Sequence, residues 1–461
     1  MGRLKVGLQQ LVCRIVGAAD ELERRQLVSL LGQSTGSLAL RVGFIGLGFA
    51  LSILLARTMG AVQYGYYAYA LTWINVLAVP ASLGTDRLLV REVAVYRGSN
   101  RWAEIKGLLL RSSQGTLLAS LFLMICLGAV VHFAVGGALR AAFFSCLAIL
   151  PFAALSRARQ STMRGFGKVV LGQMPENLIQ PALLIAVVAG TWLISRHSLT
   201  ASETALMHLF TMVVAFLVGS IVVWLQMRVS ARGLAPRYET RRWAACVVPL
   251  IALGAMGIIN TRIDALMLGL LDDPGVVGVY RVACRGSDLI TLALFAVNAA
   301  LAPVAAHLFA AGQLARLQRT ITRTARAILA FSLPVTLILI VFGRLLLSVY
   351  GEEFAAAVRT MRILSVGRFV STAMGSVSLL LVMTNHESVA TRVIALSVVA
   401  NVALNALLIP RWGLEGAAVA SAASMIVRNV VLSVLVHRRT GLHSTALAGL
   451  FRRGGRDNRG D

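Results

Sequence analysis

Apolar stretches of about 20 residues recur along almost the whole chain, and this narrows its folding options more than any other feature. A backbone in hydrocarbon must satisfy its polar groups internally, so each stretch has to be a helix. The alternating ten-residue pattern of a transmembrane barrel is missing. Spans are expected near 38–56, 66–83, 116–135, 139–155, 169–193, 205–227, 244–271, 276–306, 328–347, 354–383, 389–409 and 414–436. The longest, the seventh, eighth and tenth, invite kinks or tilt. The fold class is thus an all-α polytopic membrane protein with about 12 transmembrane helices.

Basic residues set the orientation. The net charge is +25, with 44 Lys+Arg against 19 Asp+Glu. In a soluble chain this would suggest nucleic acid, but membrane proteins concentrate cations in cytoplasmic loops. An inside N-terminus puts Arg87 to Arg111, Arg157 to Lys168, Arg228 to Arg242, Arg316 to Arg326 and the Arg438–Arg459 tail on the cytoplasmic side. About thirty basic residues then lie inside and about five outside. Both termini are cytoplasmic, and Asp272-Asp273-Pro274-Gly275 is an outer turn. Residues 1–36 read as a basic amphipathic surface segment, 37–228 as an N-terminal bundle of six helices, 229–242 as a cytoplasmic loop, 243–437 as a C-terminal bundle of six, and 438–461 as a basic tail. The halves share an echo: Gly65, Tyr67 and Ala70 align at one offset with Gly278, Tyr280 and Ala283.

Ionisable residues inside spans are costly and invite functional readings. Arg41, Arg262, Arg281, Arg285 and Arg368 are the candidates for a cationic cavity. Arg281 and Arg285 lie one turn apart on one face. Guanidinium binds phosphate oxygens bidentately and keeps its charge when buried, so such a cavity suits a pyrophosphate. The plain alternatives are snorkelling for Arg41, Arg359 and Arg428, and structural pairing of Arg262 with Asp264 and of Arg281 and Arg285 with Asp288. Arg368 has no carboxylate near it in sequence. Glu176, Asp264 and Asp288 are the carboxylates that could bind a coupling proton or sodium ion, with a salt bridge as the competing role. Asp86 and Glu92 read as interfacial pairs. Asn401 and Asn405 share a face, and Gly416–Ser424 reads as close helix packing. Pro175 and Pro181 are expected to kink the fifth span.

Other chemistry is absent. The five cysteines (Cys13, Cys126, Cys146, Cys246 and Cys284) form no metal spacing or disulfide framework. The seven histidines do not cluster, and there is no phosphate-binding glycine loop or nucleophile triad. No enzyme activity and no cofactor or metal are expected.

Three ordered groups of motifs resemble a known family. Ala56-Arg57-Thr58-Met59-Gly60, Tyr64-Gly65-Tyr66-Tyr67-Ala68 and Gly84 to Glu92 resemble the opening of Wzx-type lipid-linked oligosaccharide flippases. Asp264 to Gly269 with Val277-Gly278-Val279-Tyr280 resembles the start of their second half. Met383 to Glu387, Asn401 to Pro410 and Gly413 to Ala418 resemble their closing spans. The resemblance implies the multidrug/oligosaccharidyl-lipid/polysaccharide exporter fold, with two six-helix bundles around a central cavity. It implies a bacterial inner-membrane protein that moves an undecaprenyl-pyrophosphate-linked oligosaccharide, a unit of O-antigen, capsule or exopolysaccharide, to the outer leaflet by alternating access. Membrane lipids, a polysaccharide polymerase and export machinery would be its partners, with no nucleic acid, and a monomer is expected. The rival readings are a cation-coupled multidrug exporter of the same superfamily, a membrane polysaccharide polymerase or acyltransferase, and a lipid-binding scaffold.

Overall fold

The computed structural model describes residues 21–230, 232–243 and 261–446, and the side chains of 43–228, 232–243 and 261–446 within them. Among the described residues nine helices are long and apolar enough to cross a membrane. Two of these each join a pair of expected spans. Helix α1 (Glu21–Ala81) bends at Gly60, whose φ of 75° and ψ of 171° are not helical. The last long helix, Glu387–Thr440, bends at Gly413, with φ 50° and ψ −125°. Glycine alone takes such torsions at little cost, which is why the chain turns there without a loop. The first bend exposes the Ala61 N–H, and Glu353 Oε2 accepts it at 2.7 Å. A carboxylate at a freshly started helix is a favourable cap. Of the seventh expected span, 244–260 lies outside the described residues, as do most of the N-terminal segment and 447–461 of the tail.

The remaining elements follow in chain order. They are α2 (Thr85–Gly98), α3 (Trp102–Ala134), α4 (Gly137–Leu147), α5 (Ile149–Gly165) and α6 (Val169–Met174). A π turn (Pro175–Ile179) leads into α7 (Gln180–Ser195) and α8 (Ala201–Ser230). Helix α9 is the described part 261–271. Then come α10 (Val276–Asp288), a 3-10 turn (Leu289–Thr291), α11 (Leu292–Ala310), α12 (Leu314–Val341) and α13 (Gly343–Ser348). After Glu352–Ala357 the described helices continue with α14 (Val358–Ala373), α15 (Val377–Met383) and α16, the bent Glu387–Thr440. The eighth and tenth expected spans are therefore both interrupted, by the 3-10 turn and at Gly375. The fifth is interrupted where expected. Pro175 and Pro181 cannot donate to the helix ladder, and the chain widens into a π turn between them.

Several stretches expected as loops are helical, among them the start of α12, where Arg316 to Arg326 follow Leu314 in one helix. Residues 87–111, expected as a loop, are helical across α2 and the start of α3. Leu88, Leu89, Val93 and Tyr96 of α2 are buried against Ile105, Leu108, Ala158, Met163, Phe166 and Trp243. This burial makes an amphipathic helix stable where hydropathy alone shows only charge. Arg157, Arg159 and Arg164, also expected in a loop, belong to α5, which runs on to Gly165.

The chain forms two compact units. One comprises Ala39–Arg281 with Val349–Phe354. Its helices α2, α3, α5 and α8 surround the core just described. Gly65 of α1 lies so close to the Gly275 backbone that an added methyl would overlap the carbonyl oxygen. The other comprises Val282–Ser348 and the described residues from Ala355 on, together with the described helical lead-in before Ala39. Its core joins Leu301, Leu308, Ile321, Leu380, Leu381 and Leu432 from α11, α12, α15 and α16. Here α14 packs along α16, whose Ala417, Ala418 and Ala420 are fully buried, as small residues at a close helix crossing should be.

Candidate functional site

In the second unit the polar centre is Arg368 of α14. It forms an ion pair with Asp288 at the end of α10. The arginine is 18% exposed and the aspartate 58%. Arg368 Nε is buried with no hydrogen-bond partner. Arg368 thus does have a carboxylate, brought from 80 positions away by the packing of α14 on the 3-10 turn after α10. This matters for Arg285, three residues before Asp288. Arg285 is half-buried, and among the described residues it has no ion pair or hydrogen bond. The carboxylate nearest to it in sequence is committed elsewhere. A half-buried, unpaired guanidinium on a spanning helix is costly unless water or an anion meets it.

Arg281, one turn earlier on α10, falls in the first unit and is likewise half-buried and without a partner among the described residues. Arg262 and Asp264 of α9 are half-buried and each is engaged. The side chain of Arg41 lies outside the described residues. Arg428, inside α16, is half-buried and engaged. Arg362 and Arg359 are held at edges. Arg362 Nε donates to Ile340 O at 2.9 Å, and Arg359 pairs with Glu415 at 3.7 Å on the surface.

The first unit holds a second polar centre, which the sequence reading saw only in part. Glu176, in the π turn, forms an ion pair with Arg159 of α5. Both side chains are more than nine-tenths buried. Arg159 reaches Glu176 across Gly219 of α8, where even a methyl group would fall on the guanidinium. Arg159 Nε and Nη1, Glu176 Oε2 and the nearby Ser156 Oγ have no hydrogen-bond partner. Buried charges are costly even when paired, and each unsatisfied atom adds to the cost. The signal for Arg159 was hidden because it follows Arg157 and precedes Arg164, so a continuing helix looks like a basic loop. Tyr67 Oη and His208 Nδ1 share a hydrogen bond of 2.6 Å between α1 and α8, which no sequence motif announced. Asn401 and Asn405 of α16 are both buried, and Asn405 Nδ2 donates to the Asn401 carbonyl and side-chain oxygens at 2.9 Å.

The arginine-rich end of the first unit carries an ionic network. Segment 232–243 runs along α2 and α3, with Arg237 N donating to Ala103 O at 3.0 Å. Glu239 accepts from Tyr96 Oη, Arg101 and Arg242 at 2.9, 2.7 and 2.9 Å. Partial burial pushes the Glu239 carboxyl up, but these three donors outweigh it and hold the group below the usual carboxylate range. Trp243 Nε1 donates in turn to Tyr96 Oη at 3.2 Å. Glu92 pairs with Arg91 at 2.9 Å and with Arg242 at 3.5 Å. Asp86 stands 4.0 Å from Arg157. Among the described residues no group of His, Cys, Asp and Glu could hold a metal ion.

Known proteins resemble the chain in both sequence and fold. The family described as Polysaccharide biosynthesis protein matches residues 31–309, more than half the chain, and the MatE family matches 249–407. The probable low-salt glycan biosynthesis flippase Agl15 of Haloferax volcanii is 23% identical over 82% of this chain and 76% of its own. The probable flippase AglR of the same organism is 28% identical over 34% of each. An inward-facing multidrug resistance MATE family transporter of the MOP superfamily superposes with a TM-score of 0.71 at 13% identity, covering 85% of this chain and 93% of the other. A MOP superfamily transporter from Pyrococcus furiosus, distinguished by a binding pocket of reverse polarity, gives 0.63 at 12% identity over 90% and 95%. These likenesses show an all-helical membrane fold shared with solved transporters. The chain belongs to the polysaccharide biosynthesis protein family and has the fold of the MATE transporters.

Proposed function

We propose that the chain is a flippase that carries an undecaprenyl-pyrophosphate-linked oligosaccharide from the inner to the outer leaflet of a bacterial inner membrane by alternating access. Family membership and the flippase relatives support the class of cargo. The observation that carries the anionic headgroup is the pair of half-buried arginines Arg281 and Arg285, neither of which has a partner among the described residues. Arg368, paired with Asp288, would supply a third guanidinium, and Arg41 and Arg262 complete the proposed cationic set. With the unpaired arginines of α10 the free intramembrane charges found among the described residues, the chain is poorly suited to the cationic cargo of a drug exporter. Moving an anion outward along an inside-negative potential gains about 2.3 kcal/mol per charge per 100 mV. A doubly charged pyrophosphate therefore needs no other fuel if its charge crosses unneutralised, and Glu176, Asp264 and Asp288 are the carboxylates that could couple a proton or sodium ion instead.

The test is reconstitution in liposomes with a fluorescent lipid-linked oligosaccharide. The protein should speed its transfer between leaflets, and Arg285→Ala with Arg368→Ala should abolish most of that gain. Equal transfer by the double variant would remove the cationic-cavity reading. No transfer by the unaltered protein would remove the flippase reading.

A further inference from the structure

A groove of about 550 Å³ opens at the arginine-rich end of the first unit, between α2, α3 and the segment leading to Trp243. Its walls are Leu83, Leu88, Leu108, Leu117, Leu118 and Trp243. The inner walls Leu88, Leu108 and Trp243 are buried, whereas Leu117 and Leu118 are 41% and 68% exposed. The exposed side continues into Phe122 and Ile125, four and seven residues after Leu118 on the same face of α3. On a spanning helix such a face meets lipid, so the groove opens toward acyl chains and not toward water alone.

The polar end of the groove is cationic. Arg111 lines it about two turns up α3 from Leu118, roughly 10 Å along the axis. Its guanidinium is oriented by Gln114 Oε1 at 3.3 Å and by the Tyr238 ring at 5.6 Å from the ring centre. No carboxylate pairs with it among the described residues. Thr240, also lining the groove, is shared with a second hollow that runs from Tyr238 to Arg242. Arg241 is exposed there and has no partner among the described residues. Glu239, the one acid in that hollow, is already held by Tyr96, Arg101 and Arg242.

An apolar slot that opens to lipid and ends at two uncompensated guanidiniums matches one chemistry, an acyl chain joined to an anionic headgroup. We infer that this groove is a binding site for an anionic phospholipid of the leaflet on the arginine-rich side. One acyl chain lies between α2 and α3, and the phosphate sits at Arg111 and Arg241. Such a lipid would press Thr240 and Trp243 against α2 and α3, so its binding strengthens the docking of segment 232–243. The inference does not depend on the cargo proposed above.

The full-length protein in detergent is titrated with phosphatidylglycerol or phosphatidylcholine and followed by native mass spectrometry and thermal unfolding. Phosphatidylglycerol should bind and raise the melting temperature, and phosphatidylcholine should do neither. Arg111→Gln, at an exposed position, should weaken phosphatidylglycerol binding about fivefold, the loss of one cation near an anionic lipid surface. A photo-crosslinker placed at Leu118 should capture phosphatidylglycerol and give a second readout independent of Arg111. Equal binding of the two lipids, unchanged affinity in Arg111→Gln, or no capture at Leu118 would each overturn the assignment. So would full competition by glycerol phosphate, which would make this a site for a dissolved anion, or preferential capture of a lipid-linked sugar.

Discussion

Gly65 and Gly278 stand against each other: a Cβ built on Gly278 would lie 2.7 Å from Gly65 N and 2.8 Å from Gly65 Cα. These two positions are also partners in the sequence echo between the halves. Their neighbours follow suit, with Tyr67, Ala70, Tyr280 and Ala283 all buried. The triplet match is therefore a packing constraint written twice.

The contact leaves no room for a side chain on either side. Gly65→Ala and Gly278→Ala should each destabilise the protein by about 1–3 kcal/mol, the usual cost of overpacking. A methyl on Gly278 would meet the α1 backbone at Gly65, and one on Gly65 would meet the Gly275 carbonyl in the turn before α10. Neither backbone can rotate away, so values toward the upper end are expected. Thermal unfolding in detergent measures this. Two alanine variants as stable as the parent would show that the helices separate freely here.

The Arg159–Glu176 pair gives a different kind of prediction. Removing one buried partner strands the other charge, at a cost of about 3–5 kcal/mol. Glu176→Gln should therefore be strongly destabilising, whereas Arg159→Met with Glu176→Leu should recover most of the loss. The π turn at 175–179 would remain, since Pro175 and Pro181 still interrupt the ladder. Comparing the melting temperatures of the single and double variants separates this structural role from ion coupling. If Glu176→Gln melts like the parent but changes the pH dependence of transport, the carboxylate couples ions instead.

Hydropathy made the spans legible because lipid demands long apolar helices, and the helices over 102–134, 201–228 and 276–310 each contain an expected apolar run. It did not show where helices continue past those runs. Helix α12 starts at Leu314, not near Ile328, because Leu317, Ile321 and Ala325 bury one face while Arg319, Arg323 and Arg326 hold the other in solvent. Helix α2 escaped notice for the same reason. Of the candidate site, the cationic character of α10 could be read directly. The pairing could not, because Asp288 lies three residues from Arg285 yet is taken by Arg368 from another helix. Sequence distance says which groups could meet along one helix, and only packing decides which do.

The ionic network on segment 232–243 should respond to acid. The folded-state pKa of Glu239 is depressed below its ordinary value of 4.5. Its contribution is present above that value and fades as pH falls through the lower folded-state value. Segment 232–243 should therefore be protected from trypsin at neutral pH in the parent. In Glu239→Ala, cleavage at Arg237, Arg241 or Arg242 should be several-fold faster at the same pH. Exposed pairs contribute little to global stability, so the melting temperature should hardly move. Equal cleavage rates in the two proteins would mean that the backbone contact from Arg237 to Ala103 holds the segment alone.

Arg285 and Arg368 should separate in stability but not in transport. Arg285 has no partner among the described residues, so Arg285→Ala removes an uncompensated charge and should leave the melting temperature unchanged or slightly raised. Arg368→Ala frees Asp288, but that carboxylate is 58% exposed and solvates readily, so the loss should be modest, about 1 kcal/mol. Each variant should slow transfer of the lipid-linked sugar about tenfold, the value of one charge-assisted contact to phosphate. Lysine at 368 keeps the charge but not the bidentate fork, so Arg368→Lys should restore stability and only part of the transport. If Arg285→Ala transports like the parent while melting lower, Arg285 is a structural residue whose partner lies beyond the described side chains, and the anion must be held elsewhere.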